Sequence, residues 1–243
     1  MDSPNSIRHQ SACGRQRSPE QGFGRKPPLA NRFAFRHRHG LWPCLGGFCQ
    51  QDGDGDRLSW TGAHFLEASI RTIIDIGGQD SKTISLGEQG KVVDFLINDK
   101  CASGTGRFLE SAAQLVLHVP LQDLGKLSSQ AKTKISISST CTVFAQTELI
   151  SLLAAGESVE SVVAGLHAAI ASKVGSKVKR LGVRPTVMMT GGVAKNTGVI
   201  QALKQELGID IVVPTSIDPQ LVGALGAALI ARETFQRGGG THG

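Results

Sequence analysis

The fold of this chain is decided by residues 71–97, which read RTIIDIGGQDSKTISLGEQGKVVDFLI. Three stretches of strand length, at 71–76, 82–86 and 91–97, are apolar throughout or alternate apolar with polar residues. Glycine-containing turns separate these stretches, and such short turns connect antiparallel neighbours. The pattern therefore predicts three antiparallel strands joined by hairpins.

After these strands the chain alternates between helical and strand patterns. Apolar residues recur with the period of a helix in five segments, at 105–117, 143–154, 158–181, 197–207 and 219–233. Further strands are predicted at 134–139, 186–190 and 210–213. Strands linked through helices join a sheet in parallel, so we expect an α/β fold with a mixed sheet and helices on both faces. This is the ribonuclease-H-like unit. Two such units facing each other across a nucleotide build actin, Hsp70 and the sugar kinases, and this sequence shows only the second lobe.

The chain changes character near residue 61. Residues 1–60 contain both tryptophans and three of the five cysteines, and they show no sustained period of 2 or 3.6. Such a segment cannot bury enough apolar surface to offset its ordering entropy. We therefore predict a disordered or non-homologous segment at 1–61, one domain at 62–233 and a flexible tail at 234–243.

Charge, hydropathy and cysteine usage exclude several classes of protein. Residues 1–60 carry nine Lys and Arg against five Asp and Glu, so most of the formal net charge of +6 lies there. The rest of the chain is nearly balanced, and a nucleic-acid partner is not indicated. No apolar run approaches the roughly 18 residues of a membrane helix, and no signal peptide opens the chain. Five cysteines without regular spacing do not form a disulfide framework, so we expect a cytoplasmic protein.

The first strand ends in a run that could bind phosphate, Asp75-Ile76-Gly77-Gly78-Gln79-Asp80. Glycines let backbone N–H groups approach an anion, and an aspartate at a strand end can hold a water molecule on Mg²⁺. A hairpin also needs two glycines for steric reasons alone. Taken by itself, this run leaves both interpretations open.

A second pair of glycines, Gly191 and Gly192, follows the predicted strand at 186–190 and precedes a helix. Glycines at the carboxyl end of a strand let a flat ring or a phosphate lie on the backbone, although a tight strand-to-helix connection would need them too. The sequence contains neither Gly-x₄-Gly-Lys-Ser/Thr nor Gly-x-Gly-x-x-Gly in a βαβ setting. P-loop and Rossmann nucleotide sites are therefore excluded.

Two cysteines stand at the beginnings of predicted helices. Cys101 precedes the glycine-rich turn Gly104-Thr105-Gly106, where backbone N–H groups and the helix dipole would favour the thiolate. Cys141 lies where the predicted strand at 134–139 meets the next helix. Thiolates in such loops react or bind metal, whereas the alternative is that both residues are small buried apolar side chains.

Four runs of this sequence, taken together and in this order, resemble one family. They are Asp75-Ile76-Gly77-Gly78-Gln79-Asp80, Asn98-Asp99-Lys100-Cys101-Ala102-Ser103-Gly104-Thr105-Gly106-Arg107-Phe108, Ser138-Ser139-Thr140-Cys141-Thr142-Val143-Phe144 and Thr190-Gly191-Gly192-Val193-Ala194. They are similar to the ATP-dependent activators of 2-hydroxyacyl-CoA dehydratases and to the related ATPase subunits of benzoyl-CoA reductase. The resemblance covers about residues 62–233.

The resemblance implies a homodimer, or a heterodimer of paralogues, with one 4Fe–4S cluster shared between the two subunits. Such a cluster needs four thiolates, and the predicted domain contains only Cys101 and Cys141, so two subunits complete the set. The resemblance also implies ATP-driven electron transfer from the cluster to a dehydratase or reductase partner, with ferredoxin or flavodoxin as the external donor. ATP and Mg²⁺ would be bound by residues at the two glycine pairs: Asp75, Gly77, Gly78, Gln79 and Asp80 at the phosphates and Mg²⁺, and Gly191 and Gly192 at the adenosine. No catalytic residue is assigned.

One departure from the family concerns the first phosphate loop. Family members begin with a strand followed by Asp-x-Gly-Ser-Thr and a lysine, and residues 1–61 contain no such run. A frameshift or a wrong start is one hypothesis, and reading the coding DNA in the other two frames tests it. Two alternatives to the activator stay open: a small-molecule kinase of the same superfamily, which leaves Cys101 unexplained, and a truncated remnant without catalytic activity.

Overall fold

The computed structural model describes residues 54–98, 101–133, 135–138 and 141–238. Five strands form in these residues: β1 Thr72–Ile76, β2 Ser81–Leu86, β3 Val92–Asn98, β4 Val187–Thr190 and β5 Ile211–Val212. The α-helices of the same residues are α1 Asp54–Leu66, α2 Gly106–Ser111, α3 Leu124–Gln130, α4 Thr142–Ala154, α5 Val159–Leu181, α6 Thr197–Leu207 and α7 Val222–Gly238. A π-helical segment, Ala112–Leu117, continues α2.

The strands form one mixed sheet in the order β3-β2-β1-β4-β5. β1 pairs antiparallel with β2, and β2 pairs antiparallel with β3, as the hairpin turns predict. β4 joins β1 in parallel, and β5 joins β4 in parallel, each after a helical crossover. The predicted α/β architecture with a mixed sheet is therefore confirmed.

Alternate residues of the central strands enter two separate cores, because successive side chains of a strand point to opposite faces. Ile73 and Met188 pack with residues of α1 and α7 on one face of the sheet. Ile74 and Met189 pack on the other face, against a larger core to which α2, α4, α5 and α6 contribute. Both faces are covered by helices, as predicted.

Helices α1 and α7 cross at two glycines. A Cβ at Gly62 would overlap the carbonyl oxygen of Val222, and a Cβ at Gly226 would overlap that of Leu58. These two glycines therefore allow the close contact between α1 and α7. Helix α1 begins at Asp54, inside the segment 1–61 for which no regular structure is predicted. Residues 1–53, including Cys13, Cys44 and Cys49, lie outside the described residues, and for them the boundary stays a prediction.

The predicted strand at 134–139 is wrong for the residues that the structure describes, 135–138, which form no strand. The carbonyl oxygen of Ile135 lies where a Cβ of Gly165 would be, so this segment runs across α5. Ile135 and Ile137 are partly buried against the larger core. Their alternation thus reflects packing of one side of an extended segment on a helix, and Lys134 and Ser139 lie outside the described residues.

The last helix begins at Val222, after a 3₁₀ turn at Pro219–Leu221, and continues to Gly238, past the predicted end at 233. No helix in the described part of the chain has both the length and the apolar character needed to cross a bilayer.

Candidate functional site

The two glycine turns meet because β1 and β4 are parallel neighbours. Asp75 is paired with Thr190 across these strands, so the turns that follow begin side by side at the same edge of the sheet. Gly191 has a φ of +85°, and a Cβ there would overlap the carbonyl oxygen of Ile76. Only glycine fits position 191, because any side chain would push the two strand ends apart.

A cavity of about 900 Å³ opens at this edge of the sheet. All seven residues predicted to bind nucleotide line it: Asp75, Gly77, Gly78, Gln79, Asp80, Gly191 and Gly192. The other lining residues come from β2, α2, the turn before α3 and the segments that precede α6 and α7, and they include Lys82, Gly106, Glu110, Lys195, Asn196 and Gln220. Its volume lies in the range of about 300–1,000 Å³ that small-molecule and cofactor sites occupy.

Two carboxylates, those of Asp75 and Asp80, line the cavity. The hydroxyl of Ser59 on α1 donates a hydrogen bond of 2.7 Å to Oδ2 of Asp75. Burial raises the pKa of Asp75, while the hydrogen bond from Ser59 and the charge of Lys82 oppose that rise. Asp80 forms an ion pair of 3.1 Å with Lys82. Mg²⁺ in nucleotide sites is usually held by one or two carboxylates together with waters and phosphate oxygens, and this pair fits such an ion.

The first turn is fastened to the start of α2. The backbone N–H of Gly106 donates to the carbonyl oxygen of Gly77 at 2.8 Å, and that of Arg107 donates to Gly78 at 2.7 Å. A Cβ at Gly106 would lie 3.1 Å from the Gly77 carbonyl oxygen, so glycine allows this close approach. These helix N–H groups, which the sequence places near the thiol of Cys101, are used to hold the turn.

The lining of the cavity includes polar residues beyond those that the sequence predicts. Lys195 pairs with Asp218 at 2.5 Å, and this hydrogen bond lowers the pKa of Asp218. Asn196 caps α6 by accepting hydrogen bonds from two backbone N–H groups. The side-chain nitrogen of Asn196 also lies 3.3 Å from Nε2 of the buried His167 on α5. Lys195 and Asn196 follow the second glycine pair directly and could have been found, whereas Ser59 and Gln220 stand in no recognisable motif.

The two cysteines are not part of this cavity. Cys101 is partly buried, and its Sγ accepts a hydrogen bond of 3.5 Å from Nζ of Lys173 on α5. Cys141 is exposed at the N-cap of α4. Gln146 of α4 donates to the hydroxyl of Ser111 at the end of α2, which joins the helices that follow the two cysteines. Both cysteines are free thiols.

The described residues contain no group of three or more His, Cys, Asp or Glu side chains placed to hold a metal ion. A four-thiolate cluster would therefore need ligands from outside this set. Two features of the cysteines fit a cluster that is held by thiolates. Cys101 is partly exposed and Cys141 is exposed at the start of α4, and a lysine ammonium contacts the sulfur of Cys101.

The model of the BadF/BadG/BcrA/BcrD ATPase family matches residues 58–231. The chain is 49% identical over 170 residues to the 2-hydroxyisocaproyl-CoA dehydratase activator of Clostridioides difficile, covering 70% of this chain and 63% of that one. It is 48% identical to the (R)-2-hydroxyglutaryl-CoA dehydratase activating ATPase of Acidaminococcus fermentans, covering 70% and 64%. The chain thus spans less than two thirds of the length of these two relatives.

A more distant relative is a component of the benzoyl-CoA reductase of Thauera aromatica, at 34% identity over 69% of this chain and 61% of that one. Among solved structures, the chain is similar to the activator of the 2-hydroxyisocaproyl-CoA dehydratase from Clostridium difficile with bound ADPNP. The TM-score is 0.74 at 43% identity, and the match covers 80% of this chain and 73% of that one.

Proposed function

Because this chain belongs to the BadF/BadG/BcrA/BcrD ATPase family, we propose that it binds and hydrolyses ATP as an activator of a CoA-ester dehydratase or reductase. The observation that carries the proposal is the meeting of the two glycine turns at one cavity of about 900 Å³. The turns come from distant parts of the sequence, and parallel pairing of β1 with β4 places them together. A structural relative has ADPNP bound, which supports the same class of ligand here.

In this proposal the two glycine turns bind different parts of the nucleotide. Gly77, Gly78, Gln79 and Asp80 face the phosphates and Mg²⁺, with Asp75 holding a water molecule on the ion. Gly191 and Gly192 carry the adenosine. The space beside Gly78 supports this assignment, because a Cβ there would meet no atom within 4 Å although the residue lines the cavity.

The two thiols have a separate role in the proposal. Cys101 and Cys141 hold one half of a 4Fe–4S cluster, and a second copy of this chain or a paralogue supplies the other half. When bound, the cluster supplies a low-potential electron that originates from a ferredoxin or flavodoxin. Val143 and Phe144, two and three residues after Cys141, are 66% and 69% exposed, which supports a contact between protomers at the start of α4. The free thiols fit the reducing cytoplasm.

Among the two branches of the family, we favour the dehydratase activators. The identity to two of them is 48–49%, against 34% to the benzoyl-CoA reductase component. The partner enzyme of this chain is then a 2-hydroxyacyl-CoA dehydratase. The CoA ester on which it acts is not specified by these residues, because the activator contacts the partner enzyme and not the ester.

The nucleotide site is tested by Gly78→Ala. We expect ADPNP with Mg²⁺ to bind the variant at least about tenfold more weakly in calorimetry, or about 1.4 kcal/mol, because the methyl group takes space beside the phosphates. The stability of the variant should be unchanged, since the Cβ meets no neighbour. Gly87→Ala, at the turn between β2 and β3, is the matched control, because its Cβ makes only contacts of 3.4 Å or more and lies outside the cavity. Wild-type protein that binds no nucleotide would favour the non-catalytic remnant.

The cluster is tested by Cys101→Ser and Cys141→Ser in anaerobically purified protein. We expect about four iron atoms per two chains in the wild type. Either substitution should abolish iron binding and weaken dimerisation in analytical ultracentrifugation, because the cluster bridges the subunits. The fold should survive, since replacing the partly buried thiol of Cys101 by a hydroxyl costs at most about 1–3 kcal/mol, and Cys141 is exposed. A colourless wild-type protein that phosphorylates a small molecule would instead establish the kinase alternative.

A further inference from the structure

One face of α5 presents two lysines to Cys101. Nζ of Lys173 donates a hydrogen bond to Sγ of Cys101 at 3.5 Å. The aliphatic part of Lys173 passes the glycine-rich turn, where a Cβ at Gly104 would lie 3.5 Å from its Cγ. Lys177 stands four residues later on the same helix, so both side chains lie on one face.

The ammonium group of Lys177 is in an unusual environment. Its Nζ is buried and has no hydrogen-bond partner among the described residues. Burial lowers the pKa of Lys177, the positive charge of Lys173 lowers it further, and Cys101 acts in the opposite direction. Lys177 is therefore within electrostatic reach of both Lys173 and Cys101. A buried ammonium group without an acceptor is costly unless a negative charge compensates it.

We propose that Lys173 and Lys177 stabilise the reduced form of the 4Fe–4S group that Cys101 holds, an inference that rests on the proposed function. Reduction adds one electron from the donor, which is oxidised by one electron, and the net charge beside Cys101 becomes more negative by one unit. No covalent bond is made or broken at the lysines, and they transfer no proton. Hydrogen bonds to ligand sulfurs and nearby charges set the reduction potential of such groups.

The direction of the effect follows from the positive charges of the two lysines. Lys173 bonds directly to the ligand sulfur, and Lys177 adds a second positive charge within the protein. Both interactions are stronger with the more negative, reduced group. The two lysines therefore raise its reduction potential and make it easier for the external donor to reduce. Lys173 acts through its hydrogen bond to the thiolate of Cys101, whereas Lys177 acts through its charge alone.

The experiment uses the full chain, reconstituted anaerobically with iron and sulfide and titrated with dithionite in the presence of mediator dyes. Electron paramagnetic resonance of the reduced form and visible absorbance give the ratio of reduced to oxidised group at each potential. We expect K173M to lower this ratio by about tenfold at a fixed potential, which is 59 mV for one electron. K177M should lower the ratio by a smaller factor, because Nζ of Lys177 makes no hydrogen bond to the sulfur.

Two controls separate charge from structure. K173R keeps both the charge and the donor and should keep the wild-type potential. K179M removes a charge from another position of α5, where Lys179 pairs with Glu206 at 2.6 Å, and should also leave the potential unchanged.

Three outcomes are decisive. Wild-type protein that takes up no iron overturns the proposed function. K173M and K177M proteins that contain iron and titrate like the wild type overturn only the present inference. If K173M loses its iron, the test rests on the reduction potential of K177M. A wild-type potential in K177M then contradicts the proposed role of the lysines.

Discussion

The protein should lose stability on acidification because of one buried imidazole. His167 on α5 is fully buried, and burial lowers its pKa from 6.5 to about 4. Between these two values the unfolded chain binds a proton at this position that the folded protein does not bind. The contribution of the neutral His167 to the free energy of unfolding is therefore fully present above pH 6.5 and is lost as the pH falls toward 4. One pKa unit corresponds to about 1.4 kcal/mol, so the loss from this group is about 3 kcal/mol.

The measurement is urea unfolding at several pH values between 7 and 4, for the wild type and for His167→Gln. Glutamine does not titrate, and its side-chain oxygen can still accept a hydrogen bond from Asn196, the neighbour of Nε2. Asp75 has the opposite effect on stability. Its pKa is raised in the folded protein, so on acidification the folded protein binds this proton at a higher pH than the unfolded chain does. That contribution is present in both proteins and cancels in their difference. A variant that loses as much stability on acidification as the wild type would refute the assignment to His167.

Two further predictions concern the close contacts on which the site and the fold depend. Gly191→Ala should cost at least about 3 kcal/mol in urea unfolding and abolish ADPNP binding, because a Cβ at this positive φ overlaps the end of β1. Gly192→Ala is the matched control for stability, since its nearest neighbour would be Gln220 at 3.8 Å, and equal stability of the two variants would contradict the contact between the turns. Gly226→Ala should cost about 3 kcal/mol by forcing α7 away from α1. Wild-type stability of that variant would show that residues 54–66 do not pack on α7.

The local elements of this fold could be predicted because their signals lie within short segments. The alternation of apolar and polar residues at 71–97 and the glycine turns between them predict the antiparallel strands β1 to β3. The pattern at 197–207 predicts a helix, and α6 is observed at Thr197–Leu207, with an Asn cap before it and a glycine after it. At 135–138 the alternation of apolar and polar residues wrongly predicts a strand. An extended segment that packs one side on a helix shows the same alternation as a strand.

The sequence by itself determined the mixed α/β class, the two glycine pairs and the two candidate thiols, since each depends on residues that are close together in the chain. Only the tertiary structure decided that Gly77 and Gly191 border one cavity, because that depends on the parallel pairing of β1 with β4. The hydrogen bonds from Ser59 to Asp75 and from Lys173 to Cys101 also depend on the tertiary structure. Each joins two segments that helix packing brings together, and no periodicity in either segment encodes the identity of its partner.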